Sequence, residues 1–137
     1  MERNFRLDHI SAIRFHDRTI DLHNAYDLDG FCTTLSGNEA ALRFIRNGHA
    51  IRSETLPLRV ELRCTGNVGI AFNDLGAINA PFGRHNVEIA YFDSSCDWSS
   101  FTDEAIAARQ EPDGLHVCLA GDLVIRIYCD KAMIDFA

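Results

Sequence analysis

The sequence predicts a mainly β (α+β) fold: an antiparallel meander curled into a sandwich or partly open barrel, with one short helix. Three observations predict it. Turn dipeptides punctuate the chain at Asp29-Gly30, Gly37-Asn38, Asn47-Gly48, Gly66-Asn67, Asp113-Gly114 and Gly121-Asp122. Such pairs suit type I′ and II′ turns, where a positive φ costs glycine nothing. Between the turns, apolar residues recur at every second position, which gives a strand one buried and one wet face. Only one segment carries the signals of a helix.

Taken in order, strands are expected near 8–15 and 19–26. In the second, Ile20, Leu22, Asn24 and Tyr26 share one face, while Asp21 and His23 share the other. Residues 31–35 and 41–46 form a hairpin around Gly37-Asn38. Leu58, Val60, Leu62 and Cys64 alternate with Arg59, Glu61 and Arg63, and Val68, Ile70 and Phe72 follow Gly66-Asn67. Residues 58–73 therefore read as a second hairpin. A strand over 85–92 comes next. Ser99 and Ser100 then offer an N-cap, Asp103 and Glu104 suit the positive end of a helix dipole, and Pro112 ends a helix over 99–109. Leu115, Val117 and Leu119, and then Leu123, Ile125 and Ile127, flank Gly121-Asp122 as a closing hairpin. The stretch 73–85 fits no element. It reads as a surface crossover or as a functional loop.

Composition narrows the functional classes. The 137 residues are 47% hydrophobic and 24% charged, which is ordinary for one soluble domain. No apolar run is long enough to cross a membrane, and the charged start Met1-Glu2-Arg3-Asn4-Phe5-Arg6 lacks a signal-peptide core, so the chain reads as cytoplasmic. Twenty acidic against 13 basic side chains give a net charge of -7, which disfavours nucleic acid as a partner. The five cysteines, Cys32, Cys64, Cys96, Cys118 and Cys129, are odd in number and lack C-x-x-C spacing. They read as buried apolar residues rather than as a disulfide framework.

No nucleophile motif, phosphate-binding loop or zinc motif is present, so an enzyme has no positive support and no cofactor is implied. A metal reading rests on His16, Asp21 and His23, since a His/carboxylate set converging from neighbouring strands is how β-barrels build metal sites. Asp21 and His23 alone have the even spacing of a shared strand face. The carboxylates Asp27/Asp29 and Asp103/Glu104 suit turn and helix-dipole roles.

The segment around Asp93, Asp97, Trp98 and Asp103 is the candidate partner-binding surface. Its tryptophan, Trp98, is the only one in the chain. Trp buries a large area while keeping a polar N–H, and an acidic rim steers a basic partner. Trp98 equally suits anchoring the helix to the sheet.

The run Ile13-Arg14-Phe15-His16-Asp17-Arg18-Thr19-Ile20, followed by hairpins, resembles small bacterial β-rich domains of the polymorphic-toxin immunity type. In those domains a Phe-His-Asp-type start precedes a β-meander. The likeness covers the first third of the chain by motif and the rest by pattern. It implies a non-catalytic protein that neutralises a cognate toxin by binding it, with no catalytic residue to carry over. The expected partner is thus a protein, in concrete form a basic toxin domain. The competing readings are a small-ligand- or metal-binding β-barrel protein or enzyme, and a homodimer formed through an edge strand.

Overall fold

Twelve strands and one single-turn helix make up the described residues of the computed structural model, namely 1–9, 12–47, 56–74, 88–92, 114–119 and 123–136. The fold is β-rich, as the sequence predicts, and its strands form three sheets rather than a closed barrel. The helix expected at 99–109 lies outside the described residues.

The first sheet contains β5 (Tyr26–Thr33), β6 (Glu39–Arg46) and β7 (Arg59–Thr65) as an antiparallel meander. It is extended by β12 (Lys131–Phe136), antiparallel to β7, and by the two-residue β1 (Glu2–Arg3), parallel to β12. Alternation decides which face is buried. Val60, Leu62 and Cys64 are buried in β7, while Arg59 and Arg63 are exposed. Burying each such aliphatic side chain contributes about 1.5–3 kcal/mol. On the opposite face, Glu61 accepts hydrogen bonds from both Arg63 and Arg43 (3.0 Å for Arg43), and Arg63 also reaches Glu39 at 3.3 Å.

The second sheet has the order β8 (Gly69–Asp74), β11 (Leu123–Tyr128), β10 (Gly114–Leu119) and β9 (Glu88–Phe92). The closing hairpin forms as expected, with Leu119 opposite Leu123 and Val117 opposite Ile125. A third, small sheet holds β2 (Arg6–His9), β3 (Ala12–Phe15) and β4 (Arg18–Asp21). Side chains of all three sheets join one core, including Ile13 and Ile20, Leu42, Phe44 and Leu62, and Leu115, Ile125 and Ile127.

Four sequence expectations change. The single strand over 8–15 is two strands, β2 and β3, paired antiparallel with Leu7 opposite Ile13. The strand over 19–26 is interrupted by α1 (Leu22–Ala25), which Asp21 caps by accepting the Asn24 N–H at 3.0 Å. One helical turn is too short to show a period of 3.6 residues, and the apolar residues Leu22 and Ala25 bury together because they lie three apart on it. Strand β12, which the turn pattern did not announce, lies between β1 and β7 in the first sheet.

The fourth change is the most instructive. Residues 58–73 are not a hairpin, for β7 and β8 lie in different sheets. β7 pairs with β12 and β8 pairs with β11, so the two connections cross from one sheet to the other side by side. The last pair in the first sheet is Thr65 with Lys131, and the first in the second is Gly69 with Tyr128. Three residues on one strand therefore face two on the other, which is a bulge, and bulges bend a ribbon from one sheet into the next. Gly66 has the positive φ that the dipeptide foretold, +72°, and Asn67 is left-handed as well, at +43°, which a II′ turn does not require. Asp130 closes the bend. Its N–H donates to the Gly66 carbonyl at 2.9 Å, and its carboxylate accepts from Asn67 Nδ2 at 2.7 Å.

Candidate functional site

The residues expected to bind a partner, Asp93, Asp97, Trp98 and Asp103, lie outside the described residues, as does 75–85 of the unassigned stretch. Asn73 and Asp74 end β8. Of the metal candidates, Asp21 is committed to the α1 cap, also accepting from Asn24 Nδ2 at 2.8 Å. His23 lies within α1, so the strand face it was to share with Asp21 does not exist. Among the described residues no three His, Cys, Asp or Glu side chains are placed to hold a metal ion. Cys64 and Cys129 are buried in the core as expected, whereas Cys32 is exposed on edge strand β5.

His16 occupies a more informative position. β3 and β4 pair with Phe15 opposite Arg18, so His16-Asp17 is a two-residue hairpin loop. His16 takes φ = +54°, a conformation that the first loop position of a II′ turn normally reserves for glycine. For an L-residue with a side chain this costs about 1–2 kcal/mol. Aromatic contacts hold the loop in place. The His16 ring meets Phe15 edge-on, with centroids 4.3 Å apart, and Phe15 meets Phe136 of β12 in the same way at 4.9 Å. The tip of the small sheet is thereby fastened to β12 of the large one.

Two recesses open on either side of His16. One, of about 500 Å³, is lined by Arg3, Asn4, Phe5, Arg6, Arg14 and His16. The other, of about 360 Å³, is lined by Phe15, His16, Asp17, Arg18 and Phe136. The floor of the larger recess is rigid. Phe5 is a core residue, and Asn4 is locked to β12 in both directions, donating to the Ile134 carbonyl at 3.0 Å and accepting its N–H at 2.8 Å.

Its electrostatics run against those of the whole chain. Asp8 is shared between Arg14, at 2.8 Å, and Arg6, at 3.7 Å. Both guanidinium side chains remain largely exposed, at 43% and 64%. Among the described residues, two arginines, Arg6 and Arg14, share the single carboxylate of Asp8 on this rim, in a protein of net charge -7. Guanidinium groups beside a rigid floor suit a carboxylate, which they can grip with two parallel hydrogen bonds. The sequence pointed to His16 for metal chemistry. The arginines three to eight positions apart gave no signal, because the pairing of β2 with β3 and the N-terminal crossing bring them together.

The outward-facing Glu61 offers a contrast. Hydrogen bonds from Arg63 and Arg43 outweigh partial desolvation and hold its carboxyl below the usual range. There the acids and bases are matched; around the larger recess they are not.

No family model matches this chain, and neither a curated protein nor a solved structure is similar to it.

Proposed function

We propose that the chain is a non-catalytic protein-binding module and that the His16 corner is its docking surface, with neutralisation of a cognate bacterial toxin as the concrete form. The observation that carries this reading is a solvent-exposed histidine held at φ = +54° at the junction of two recesses. Strain of this kind concentrates at functional sites, where surrounding structure over-determines it. Arginine and aromatic side chains around it are the types that dominate binding hot spots. The net charge of -7 draws a basic toxin domain toward the chain, with Asp93, Asp97, Trp98 and Asp103 as further contacts. At the His16 corner the sign reverses, so one carboxylate of the partner seated on Arg14 and Arg6 sets the docking register.

The test mixes the chain with the product of the reading frame adjacent to its gene and follows the mixture by light scattering during gel filtration. A one-to-one complex is expected. Arg14→Glu should weaken it by at least about tenfold, a change of ~1.4 kcal/mol. Absence of a complex overturns the immunity reading. A complex indifferent to both Arg14→Glu and His16→Ala overturns the His16 corner as its surface.

A second reading has its own support, since the larger recess, about 500 Å³, has the size of a small-ligand pocket. Binding of a small dicarboxylate to the isolated chain, abolished by Arg14→Glu, would favour it.

A further inference from the structure

The two recesses that flank His16 differ in lining, and the difference specifies what each can hold. The smaller, of about 360 Å³, has three rings among its five lining side chains, those of Phe15, His16 and Phe136. The other two, Asp17 and Arg18, bring one charge of each sign. Phe15 and Phe136 are half-buried and pack against the core, so the ring walls are anchored. Phe15 meets both of its neighbours edge-on, at interplanar angles of 75° to His16 and 77° to Phe136. The larger recess has the opposite character. Among the described residues, Arg6 and Arg14 share one carboxylate there, that of Asp8, and both remain exposed to solvent on one side.

From this difference we infer that the His16 corner reads a linear segment of a partner protein carrying one carboxylate and one aromatic ring two positions apart. The carboxylate sits on Arg6 and Arg14, and the ring enters the recess between Phe15 and Phe136. The inference rests on the His16 corner being a docking surface, and it adds what the partner presents there. Charge complementarity decides the first occupant, since guanidinium groups grip a carboxylate and repel a base. In the smaller recess the charges of Asp17 and Arg18 offset each other, so apolar burial decides. An aromatic ring buries a large area and also extends the edge-on packing already present, which an aliphatic side chain does not.

The spacing follows from His16, which lines both recesses, so that the two occupants straddle one imidazole. In an extended segment, side chains two positions apart project from the same face about 6.6 Å from each other. That separation spans a single ring, since neighbouring rings pack with centroids about 4.5–7 Å apart. Adjacent side chains point to opposite faces and cannot enter both recesses. The backbone at His16, with φ = +54°, and its edge-on contact with Phe15 set the imidazole as the wall that the recesses share. With Asn4 locked to Ile134 beneath the larger recess, little ordering is left to be done on binding.

The test titrates short synthetic peptides with the full chain and follows the anisotropy of an uncharged fluorescent label. The peptides are acetylated and amidated, so that a central aspartate is their only carboxylate. Asp-Thr-Phe and Phe-Thr-Asp cores cover both directions of the segment, and saturable binding of at least one is expected. Replacing its Asp by Asn or its Phe by Ala should each weaken binding by at least about tenfold, with the protein itself unaltered. Arg14→Glu should reverse the charge preference, so that a peptide with Lys in place of Asp binds the variant better. Arg63→Gln, on the outer face of the first sheet, should leave binding unchanged. No binding of either core, or binding indifferent to loss of the carboxylate or of the ring, overturns the inference even where the product of the adjacent reading frame forms its complex. Peptide binding with the expected dependence upholds it even where that complex does not form.

Discussion

Among the described residues, two non-glycine residues adopt a left-handed backbone, Asn67 and His16, and they are held in different ways. Asn67 follows Gly66 in the bend between sheets, and its side chain is tied to Asp130. Asn, Asp and His are the side chains found most often in this conformation, and at Asn67 the Asp130 carboxylate supports it. His16 is at an exposed hairpin tip where glycine would be easier, and its ring packs only partly, on Phe15. The first conformation is needed to turn a ribbon through a corner. The second closes a two-residue hairpin that glycine would close more easily, so the histidine side chain there points to a surface selected for contact.

The same contrast appears in the charges. Glu39 and Glu61 balance Arg43 and Arg63 on the outer face of the first sheet, whereas Asp8 is outnumbered beside the larger recess. Balanced pairs on a surface contribute little beyond solubility. An unbalanced cluster keeps part of its hydrogen-bonding capacity for a partner.

The comparison breaks most sharply at Gly66. A Cβ there would stand 2.8 Å from Asp130 Oδ2 at φ = +72°. Gly66→Ala should cost about 2–3 kcal/mol and lower Tm by roughly 5–10 °C in a thermal melt. An unchanged Tm would show that the corner is not as constrained as its contacts imply. At His16 the outcome should differ in kind. His16→Gly relieves about 1–2 kcal/mol of backbone strain and loses an edge-on ring contact worth about 0.5–1.5 kcal/mol. Denaturant unfolding should therefore place it within about 1 kcal/mol of the native chain, while partner binding falls. A loss of stability beyond ~2 kcal/mol would make His16 a structural residue like Asn67.

The smallest effect belongs to the balanced ladder. Glu61→Gln should cost about 0.5 kcal/mol near neutral pH. The Glu61 carboxyl is lowered in the folded chain, so its contribution is fully present above the unfolded value near 4.5 and is lost as pH falls through the lower native value. Unfolding curves of the two proteins should therefore converge in acid. A difference that persists at pH 2 would assign the effect to packing.

These contrasts also mark how far the sequence could be read. Alternation placed β7, β10 and β11, because one buried face imposes a period of two whatever the partner strand is. The Gly66-Asn67 pair announced its positive φ correctly and its partner wrongly. A dipeptide encodes a backbone conformation, and that conformation serves a hairpin and a bulged corner equally well. Asp21 read as a strand residue because a single helical turn leaves no periodic trace, although Asp21 and Asn24 carry a cap spacing. Lys131–Phe136 has Ala132, Ile134 and Phe136 in alternation, yet no turn dipeptide sets it off from β11. The recess at His16 was the least legible feature. Its arginines converge only through the pairing of β2 with β3 and the anchoring of Asn4 to β12, and neither depends on local sequence.

The pairing of β12 with β7, and of β11 with β8, bears on the order in which the molecule can assemble. Until residues 123–136 have emerged from the ribosome, β7 and β8 each present an open row of backbone donors and acceptors, and Phe15 has no Phe136 to lean on. The meander of β5, β6 and β7 can form early, since its contacts are local. The corner and the anchored hairpin tip both wait for residues 123–136. Residues 123–136 thus join both large sheets in a single closing event, and a nascent chain stalled before they emerge would expose edges prone to pairing with its neighbours.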